Sequence, residues 1–392
     1  MDDRKYVEAF ALDLVKRRAD FHKKVADVRQ VLQDAQLDAI VLSYTHNFSW
    51  FTGGARNFIN MAAVDGVGSI YVDASQVVVL TNEIEGHRLI NEEMDGLQAD
   101  VKLHEDPWYA QPQAIEVARK LANSDKIGVD MLHADVEARI SKLREVLTEY
   151  EMDIYRSLGA DCGKIIGEVA RSVRPSQTEW EITAELSALC WKKSITPIVA
   201  LVAADERVDA IRHPLPTNKR VKNKVMIVLC GRRAGFVLSV TRMVYVTTTP
   251  GAKIPEDLLR RHEAATYVDA VAITSSKPGV AAKDIFKAIQ DAYETKGFPG
   301  EWKLHHQGGC AGYKSREWIA NPQHTSVVSH NNGFAWNPSV TGTKTEDTVL
   351  MRDGPNGSIV YEVISETPEW PLIEHEVNGV KIKRPGILHI AY

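Results

Sequence analysis

The first third of the chain alternates between helical and strand-like patterns of apolar residues. The apolar runs 38–43, 68–72 and 76–80 predict strands, the last two as a hairpin or as adjacent strands. Before them, four apolar residues recur on one face of a helix: Phe21, Val25, Val28 and Leu32. This alternation over about 130 residues indicates a small α/β domain.

The middle of the chain is predicted to be helical. Apolar residues keep a helical spacing over residues 137–172, and the pattern ends at Arg174-Pro175. A second, capped helix is predicted to start within residues 176–181. We place a domain boundary beside this connector, near residue 150, which predicts domains at 1–150 and 151–392.

In the second half, strands and helices come in blocks. The apolar strand 225–230 is predicted to pair with 236–238 and 243–246, and the helices 256–270 and 283–296 follow. Several short strand-like pieces come after these helices. Strands, then helices, then strands again are typical of an α+β domain with a mainly antiparallel sheet.

The composition is that of an ordinary globular protein and excludes several classes. Of the 392 residues, 44% are hydrophobic and 25% are charged, which excludes a mainly disordered chain and a collagen-like fibre. The chain has 47 basic and 52 acidic residues and a net charge of −5. No general surface for nucleic acid is therefore predicted.

The cysteine pattern and the N-terminus bear on the cellular compartment. Cys162, Cys190, Cys230 and Cys310 are far apart and form no CxxC pair, which fits a reducing compartment and argues against a structural zinc site. Residues 1–5 contain no apolar signal core, and no uncharged apolar window of about 18 residues exists. We expect a cytoplasmic protein without a membrane partner.

Two segments of the second half place histidines beside proline or glycine. His213 lies in a proline-flanked loop before the strand 225–230, and it is either a general acid/base or a loop residue bonded to backbone. His305 and His306 precede a glycine-rich turn whose spacing is not that of a phosphate-binding loop. On a strand, adjacent histidines point to opposite faces, so at most one is expected to face a given pocket.

A third segment places carboxylates between apolar strands. Glu346 and Asp347 come directly before the apolar run 349–351. Carboxylates at such a position can bind a cation or a metal ion, but they are also common at turns.

The order and spacing of these segments resemble one superfamily, that of creatinase, prolidase and methionine aminopeptidase. The resemblance covers the whole chain. It implies an α+β protein in which a creatinase-like N-terminal α/β domain is followed by a C-terminal domain with the pita-bread fold. It also implies a homodimer with its sites near the interface.

The resemblance implies a metal centre that this sequence has lost. Metallo-members of the superfamily hold two metal ions with two aspartates, a histidine and two glutamates, because adjacent dications need anionic oxygens. The matching positions here are Cys230, Ser239, Gly309, Asn337 and Glu346. We predict no metal ion at these positions and no other cofactor. A single zinc ion held by Cys230, His213 and Glu346 is an alternative, although a small buried role for Cys230 is simpler.

Creatinase, the metal-independent member, offers a different comparison. It cleaves a C–N bond with a histidine that matches His213, and one of its two guanidinium-binding glutamates matches Glu346. The other falls on Thr241, which lacks the charge, so creatine itself is not the expected substrate.

Further residues are predicted to surround the substrate. We expect a polar or cationic group to be bound by Glu346 with Thr241, Ser239, Asn337 and Cys230. His305 and Arg316 are expected to orient the other end of the substrate. Lys344 and Arg56 lie near the positions at which creatinase binds the substrate carboxylate, Arg56 in a loop of the N-terminal domain.

Three functions follow from these predictions. The first is metal-independent hydrolysis of a C–N bond in a small polar molecule, with His213 as the general acid/base. The second is an Xaa-Pro aminopeptidase or prolidase that requires metal ions. The third is a non-catalytic binding protein of the same fold.

Overall fold

The structure, a computed structural model, describes residues 11–392, which form two units. The N-terminal unit comprises Ala11–Ile154 together with Ala234–Phe236, and the C-terminal unit comprises Tyr155–Arg233 and Val237–Tyr392. The prediction that residues 1–5 lack a signal core concerns residues outside the described part. Among residues 11–392, no helix is both long and apolar enough to cross a bilayer.

The N-terminal unit is built on a mixed five-stranded sheet. Its strands are β1 (Ala39–Tyr44), β2 (Asp65–Asp73), β3 (Val77–Asn82), β4 (Lys102–Asp106) and β5 (Ile127–Val129). Its helices are α1 (Leu14–Ala35), α2 (Thr45–Phe51), α3 (Gly86–Arg88, followed by a π-helical turn Leu89–Glu93), α4 (Ala114–Ala122) and α5 (Ala134–Glu145). The strand order is β4-β3-β2-β1-β5. The predicted α/β domain, its first helix and the antiparallel hairpin of β2 and β3 are confirmed.

The helical pattern predicted over residues 137–172 is confirmed, but the chain forms two helices there. Helix α5 ends at Glu145, and α6 (Glu149–Ser172) starts after an extended Val146. Thr148 and Glu151 exchange hydrogen bonds: the Thr148 N–H donates to Glu151 Oε2 at 2.8 Å, and the Glu151 N–H donates to Thr148 Oγ1 at 3.3 Å. This reciprocal cap starts a new helix where apolar spacing alone suggests continuity.

The C-terminal unit contains two main sheets. Its helices are α7 (Glu179–Lys192), α8 (Glu206–Ala210), α9 (Glu256–Ser275) and α10 (Ala282–Thr295), with 3₁₀ turns at Glu301–Leu304 and Pro355–Gly357. Its strands are β6 (Thr196–Ala204), β7 (Lys224–Arg233), β8 (Phe236–Thr247), β9 (Gly308–Cys310), β10 (Trp318–Ile319), β11 (Asn332–Trp336), β12 (Ser339–Val340), β13 (Thr343–Lys344), β14 (Asp347–Asp353), β15 (Ile359–Val363), β16 (Leu372–Val377), β17 (Val380–Pro385) and β18 (Ile387–Ala391).

The strand pairing of this unit is mainly antiparallel, as predicted for an α+β domain. One sheet has the order β18-β8-β7-β6 and the other β10-β9-β11-β14-β15, while β12-β13 and β16-β17 form separate pairs. Only the β18–β8 pair is parallel among the described strands of this unit. Helices α9 and α10 share an apolar core with the five-stranded sheet, including Val268, Ile285, Phe334 and Trp336.

The runs 236–238 and 243–246, predicted as two strands, belong to the single strand β8. Three of the four residues between them are polar, and they interrupt the apolar pattern. Ser239, Thr241 and Arg242 are nevertheless buried. Buried polar side chains require hydrogen-bond partners, and the partners of these residues define the candidate site.

Candidate functional site

The site forms where strand β8 meets the residue before β14. The Thr241 N–H donates to the Glu346 carbonyl oxygen at 3.0 Å, and this bridge joins the two main sheets of the C-terminal unit. The same two residues also meet through their side chains, because Thr241 Oγ1 donates to Glu346 Oε2 at 2.8 Å. The backbone therefore fixes a buried carboxylate at the junction of the sheets.

Two protein cations engage that carboxylate. Lys344 Nζ lies 2.9 Å from Glu346 Oε2, and Arg316 Nη2 donates to Glu346 Oε1 at 2.9 Å. Burial opposes ionisation of Glu346, but Lys344 and then Arg316 outweigh it and lower the pKa of the carboxyl to about 2. The predicted binding of a substrate cation by Glu346 stays a prediction, and it would compete with both protein cations.

The neighbouring positions on β7 and β8 carry neutral groups. Cys230 Sγ lies 3.3 Å from Ser239 Oγ, and Arg316 Nη1 donates to the same Ser239 oxygen at 3.2 Å. Burial, followed by the charge of Glu346, raises the pKa of the Cys230 thiol. The Cys230 thiol therefore adds no negative charge to this group of side chains.

The residues present do not fit the two-metal centre that the resemblance implies. Of the five positions only Glu346 is a carboxylate, and it is already paired with Lys344 and Arg316. At Gly309, the position of the expected histidine ligand, an added Cβ would lie 2.1 Å from the Trp318 carbonyl oxygen. The donor set lacks the negative charge that two dications require. The alternative zinc site of Cys230, His213 and Glu346 gains no support, because Glu346 is already engaged by Lys344 and Arg316.

Three histidines converge beside this carboxylate group. His213 Nε2 and His305 Nε2 are 3.1 Å apart, and one ring nitrogen from each of His213, His305 and His306 lies within 4.8 Å of the others. The ring centroids of His305 and His306 are 4.7 Å apart. We call these three residues the histidine cluster.

The expectation that His305 and His306 point to opposite faces of a strand is wrong, although His305 and not His306 lines the pocket described below. It assumed a strand, whereas His305 and His306 lie in irregular backbone between the 3₁₀ turn Glu301–Leu304 and strand β9. Without the two-residue alternation of a strand, both rings can face His213. Their ring centroids lie 4.9 and 5.7 Å from that of His213.

The histidine cluster is neutral at neutral pH. Burial, followed by the charge of Lys344, lowers the pKa of His305 to about 2, and burial with Arg316 lowers that of His306 to about 4. The pKa of the more exposed His213 is also lowered, by burial and then by Lys344. Buried Nδ1 atoms of His305 and His306 have no hydrogen-bond partner among the described residues.

A small pocket opens beside the cluster. Its walls combine His305, Ser339 and Lys344 with apolar side chains that include Ile211 and Met226. The hydroxyl oxygen of Ser339 is buried and unpartnered within the described part of the chain. Its free volume of about 10 Å³ is that of a single water molecule, so in this conformation it offers a hydrogen bond and apolar contact only to a group of that size.

The loop of His213 is held by a carboxylate at the start of helix α7. Glu179 is fully buried and accepts from the Thr217 N–H and the Ala204 N–H, each at 2.8 Å. It also pairs with Arg207, which donates to the Leu215 carbonyl oxygen at 2.9 Å. The chain just after His213 is thus tied down at two points.

The remaining predicted residues fall in different places. Asn337 is buried, its N–H donates to the Gln307 carbonyl oxygen at 3.0 Å, and its Oδ1 has no partner in the described chain. Arg56 belongs to the N-terminal unit, where its Nη2 lies 2.8 Å from Glu93 Oε1. Its predicted reach into a substrate site stays a prediction.

The sequence did not single out two features of the site. His306 was not assigned a role, although the pair His305-His306 was visible beside the glycine-rich turn. Asp347 accepts from Arg242 Nη2 at 2.8 Å and from Arg384 Nη2 at 2.9 Å, which holds the start of β14 in place. The adjacent acidic pair Glu346-Asp347 was visible in the sequence. Only the structure shows that Glu346 belongs to the site and that Asp347 supports it.

Comparison with protein families gives two matches. The model described as metallopeptidase family M24 matches residues 153–353, just over half of the chain. The model described as the creatinase/prolidase N-terminal domain matches residues 24–155. These matches confirm the predicted superfamily and its two-domain pita-bread fold. No curated protein sequence matches the chain.

Solved structures show the same fold at low sequence identity. An Xaa-Pro dipeptidase from Bacillus anthracis is 18% identical, with a TM-score of 0.69, covering 89% of this chain and 98% of that one. A prolidase from Pyrococcus horikoshii OT3 is 18% identical, with a TM-score of 0.66 and coverages of 88% and 98%. Dipeptidase PepE from Mycobacterium ulcerans is 14% identical, with a TM-score of 0.71 and coverages of 98% and 100%.

Proposed function

Because the chain belongs to metallopeptidase family M24, we propose that it hydrolyses an amide-type C–N bond in a small molecule that carries a carboxylate. The family and the similar Xaa-Pro dipeptidase and prolidase support this bond type. They favour the peptidase alternative over an amidine substrate of the creatinase kind.

Water activation in this proposal does not use the two-metal centre of the family. Hydrolysis without the two-metal centre is supported by the pairing of Glu346 with Lys344 and Arg316 at the junction of the two sheets. Because both cations bind this carboxylate, it is not available to a metal ion. His213, the exposed member of the histidine cluster beside this carboxylate, is the candidate proton acceptor.

The charges of the site support a substrate carboxylate. Lys344 and Arg316 together carry two positive charges against the one negative charge of Glu346. Glu346 is the partner found for Lys344 Nζ within residues 11–392, which leaves N–H groups of this lysine available. Arg316 Nε is buried without a partner there. Buried donors with surplus positive charge favour an anionic ligand group.

We assign the acid/base role to His213. In the proposed tautomer its Nε2–H donates to His305 Nε2, which leaves Nδ1 of His213 unprotonated. Nδ1 takes a proton from water as the water oxygen attacks the carbonyl carbon. The same proton then passes to the leaving nitrogen as the C–N bond breaks, and the products are a carboxylic acid and an amine.

The test combines substrate turnover with metal removal. Purified protein is assayed with Xaa-Pro dipeptides and N-acyl amino acids, before and after chelator treatment and with elemental analysis. We expect turnover to survive the chelator, and His213→Ala to lower kcat/KM by about 100-fold or more. His330→Ala, at an exposed residue, is the matched control. Turnover that disappears with the chelator and returns with Mn²⁺ or Co²⁺ would favour the metallopeptidase instead.

A non-catalytic binding protein is the second candidate. The four lost ligand positions, Cys230, Ser239, Gly309 and Asn337, favour it because the family's chemistry depends on those ligands. A thermal shift produced by a carboxylate-bearing peptide, with no product formed over long incubation, would favour binding alone. Product formation that requires His213 would exclude this candidate.

The homodimer, the cytoplasmic location and Arg56 belong to the same proposal. We propose that two chains associate and that Arg56, paired with Glu93, helps to bind the substrate carboxylate across the dimer. The four cysteines are all free and buried, which supports a reducing compartment. Light scattering measures the oligomeric state, and Arg56→Ala should raise KM without changing metal content. A monomer with full turnover would contradict the dimeric site.

A further inference from the structure

The histidine cluster presents three imidazole groups with spare donor capacity. Nitrogen atoms of His213, His305 and His306 lie within 4.8 Å of one another. His305 is only 8% exposed, and its Nδ1 has no hydrogen-bond partner in the described chain. None of the three occupies a position that matches a ligand of the two-metal centre.

We propose that His213, His305 and His306 together bind one divalent transition-metal ion of the zinc type. Three imidazole nitrogens are a common ligand set for Zn²⁺, and they also suit Co²⁺ and Ni²⁺. In a tetrahedral zinc site the donor nitrogens are about 3.3 Å apart, since each Zn–N bond is about 2.0–2.1 Å long. The 3.1 Å between His213 Nε2 and His305 Nε2 is close to that spacing.

The protonation state and the access of the cluster agree with this geometry. A metal ion binds the neutral imidazole, which is the prevailing form of an ordinary histidine above about pH 6.5. His213 is exposed, so an ion can reach the cluster from solvent. A fourth coordination position would then remain for water.

Nearby charge limits the affinity. Lys344 and Arg316 repel a dication, and Glu346 offsets only part of that repulsion. Removing the charge in Lys344→Met should therefore tighten metal binding, whereas Lys287→Met, at an exposed residue of α10, should leave it unchanged. Tighter binding in Lys344→Met alone separates a site beside Lys344 from adventitious binding by surface histidines.

The proposed site has a consequence that rests on the proposed function. A metal ion bound to His213 Nε2 takes away the hydrogen bond to His305 and restrains the ring that acts as the base. Zn²⁺ is therefore expected to inhibit hydrolysis reversibly. The ion would act as an inhibitor at the histidine cluster rather than as the source of the attacking hydroxide.

The binding experiment uses the full chain after chelator treatment. Titration with Zn²⁺ by calorimetry, and with Co²⁺ by visible absorption, should show one ion per chain and a four-coordinate Co²⁺ spectrum. His305→Ala and His306→Ala should each weaken binding at least tenfold, while His330→Ala should not. Circular dichroism checks that each variant folds. Equal binding by the cluster variants and the unmutated protein, or no binding at all, would overturn the proposal.

Activity measurements keep this inference separate from the proposed function. Inhibition by Zn²⁺ that is weakened in His306→Ala supports both. Zn²⁺ binding to the cluster with activation of turnover supports the site and contradicts hydrolysis without metal. Turnover in the chelator without any Zn²⁺ binding supports the proposed function and overturns the metal site.

Discussion

The acid/base properties of single residues depend on a few neighbouring charges. Lys344 lies beside Glu346, and its charge also lowers the pKa of His213 after the effect of burial. A base with a lowered pKa stays unprotonated further into the acid range. One lysine therefore influences both the anion and the base of the candidate site.

This arrangement predicts the pH dependence of turnover. The acid limb of kcat/KM should lie below about 6.5, the ordinary pKa of histidine, because His213 must be unprotonated to act. Lys344→Met should move the limb to higher pH, since the repelling charge is gone. Lys287→Met serves as the control. A limb that stays in place or moves to lower pH in Lys344→Met would contradict the assignment of His213.

A second histidine links pH to stability. His262 is buried, with Nε2 2.8 Å from the Pro385 carbonyl oxygen and Nδ1 2.6 Å from Thr343 Oγ1. Burial lowers its pKa to about 4. Above about pH 6.5 both the folded and the unfolded chains hold this histidine neutral, so its contribution to stability is complete. As the pH falls towards 4, only the unfolded chain gains the proton, and stability is lost.

His262→Gln removes this dependence. The free energy of unfolding of the variant should lie below that of the unmutated protein at pH 7, and the difference should shrink by about 2 kcal/mol at pH 5. Urea unfolding at the two pH values measures it. His330→Gln is the exposed control. A difference that is the same at both pH values would mean that His262 is not kept neutral by burial.

The sequence predicted part of the site at this scale. His213, His305 and Glu346 were predicted together because the resemblance fixes their positions along the chain. The role of His306 was not predictable, because it depends on irregular backbone before β9 that no residue spacing reveals. The pairing of Glu346 with two cations was missed because both Arg316 and Lys344 were assigned to substrate binding. Arg316 is also thirty residues away from Glu346 in the sequence.

At the scale of secondary structure, the start of α7 has two separate functions. Thr178 caps the helix in a reciprocal arrangement with Glu181, and the next residue, Glu179, turns inward to hold the loop that follows His213. The capped start was predicted from the sequence, and the structure confirms a helix there. The inward carboxylate was not predicted, because a first-turn glutamate ordinarily faces solvent near the positive end of the helix.

These adjacent residues give a matched pair of variants. Thr178→Ala should lower the free energy of unfolding by about 1 kcal/mol and leave turnover unchanged, because it removes only a cap. Glu179→Ala should cost about 3 kcal/mol, since it leaves Arg207 unpaired, and it should also lower kcat/KM by releasing the loop of His213. Urea unfolding and steady-state kinetics measure both. If Thr178→Ala and Glu179→Ala had the same effect on turnover, Glu179 would not be a positioning residue for His213.

At the scale of the molecule, a buried ionic network connects elements of the C-terminal unit. Arg384 Nη2 lies 2.6 Å from Asp269 Oδ2 and 2.9 Å from Asp347 Oδ2, and Arg242 Nη2 lies 2.8 Å from Asp347 Oδ1. These residues come from β17, α9, β8 and the start of β14. The network holds the strand that carries Glu346 against the helical layer.

Removing one member of the network should lower the free energy of unfolding strongly. Removing both members of an ion pair should lower it by less than the sum of the two single changes. Arg384→Met alone should lower the free energy of unfolding by about 3–5 kcal/mol, because it leaves buried carboxylates without their partner. The double variant Asp269→Asn/Arg384→Met should cost less than the sum of its two single variants. Denaturant unfolding of all three provides the comparison. Additive costs would show that the two side chains are not energetically coupled.

The fold as a whole was more predictable than its chemistry. The α+β class follows from the order of apolar runs, which records the packing of whole elements, whereas the pita-bread domain was implied by the resemblance to the superfamily. The continuity of β8 through Ser239 and Thr241 was hidden, because its polar residues are buried by partners on other strands. Local patterns report which face of an element is apolar, but they do not report which distant residue satisfies a polar group.

The glycine at position 309 has a consequence for how this protein can change. The backbone of β10 lies where a side chain on Gly309 would begin, and Ala335 of β11 stands equally close to Gly308. A Gly309→His substitution would restore one ligand of the two-metal centre, but it would push neighbouring strands apart. Lys344 and Arg316 would still lie beside Glu346. Building a two-metal site by single substitutions would therefore pass through destabilised variants.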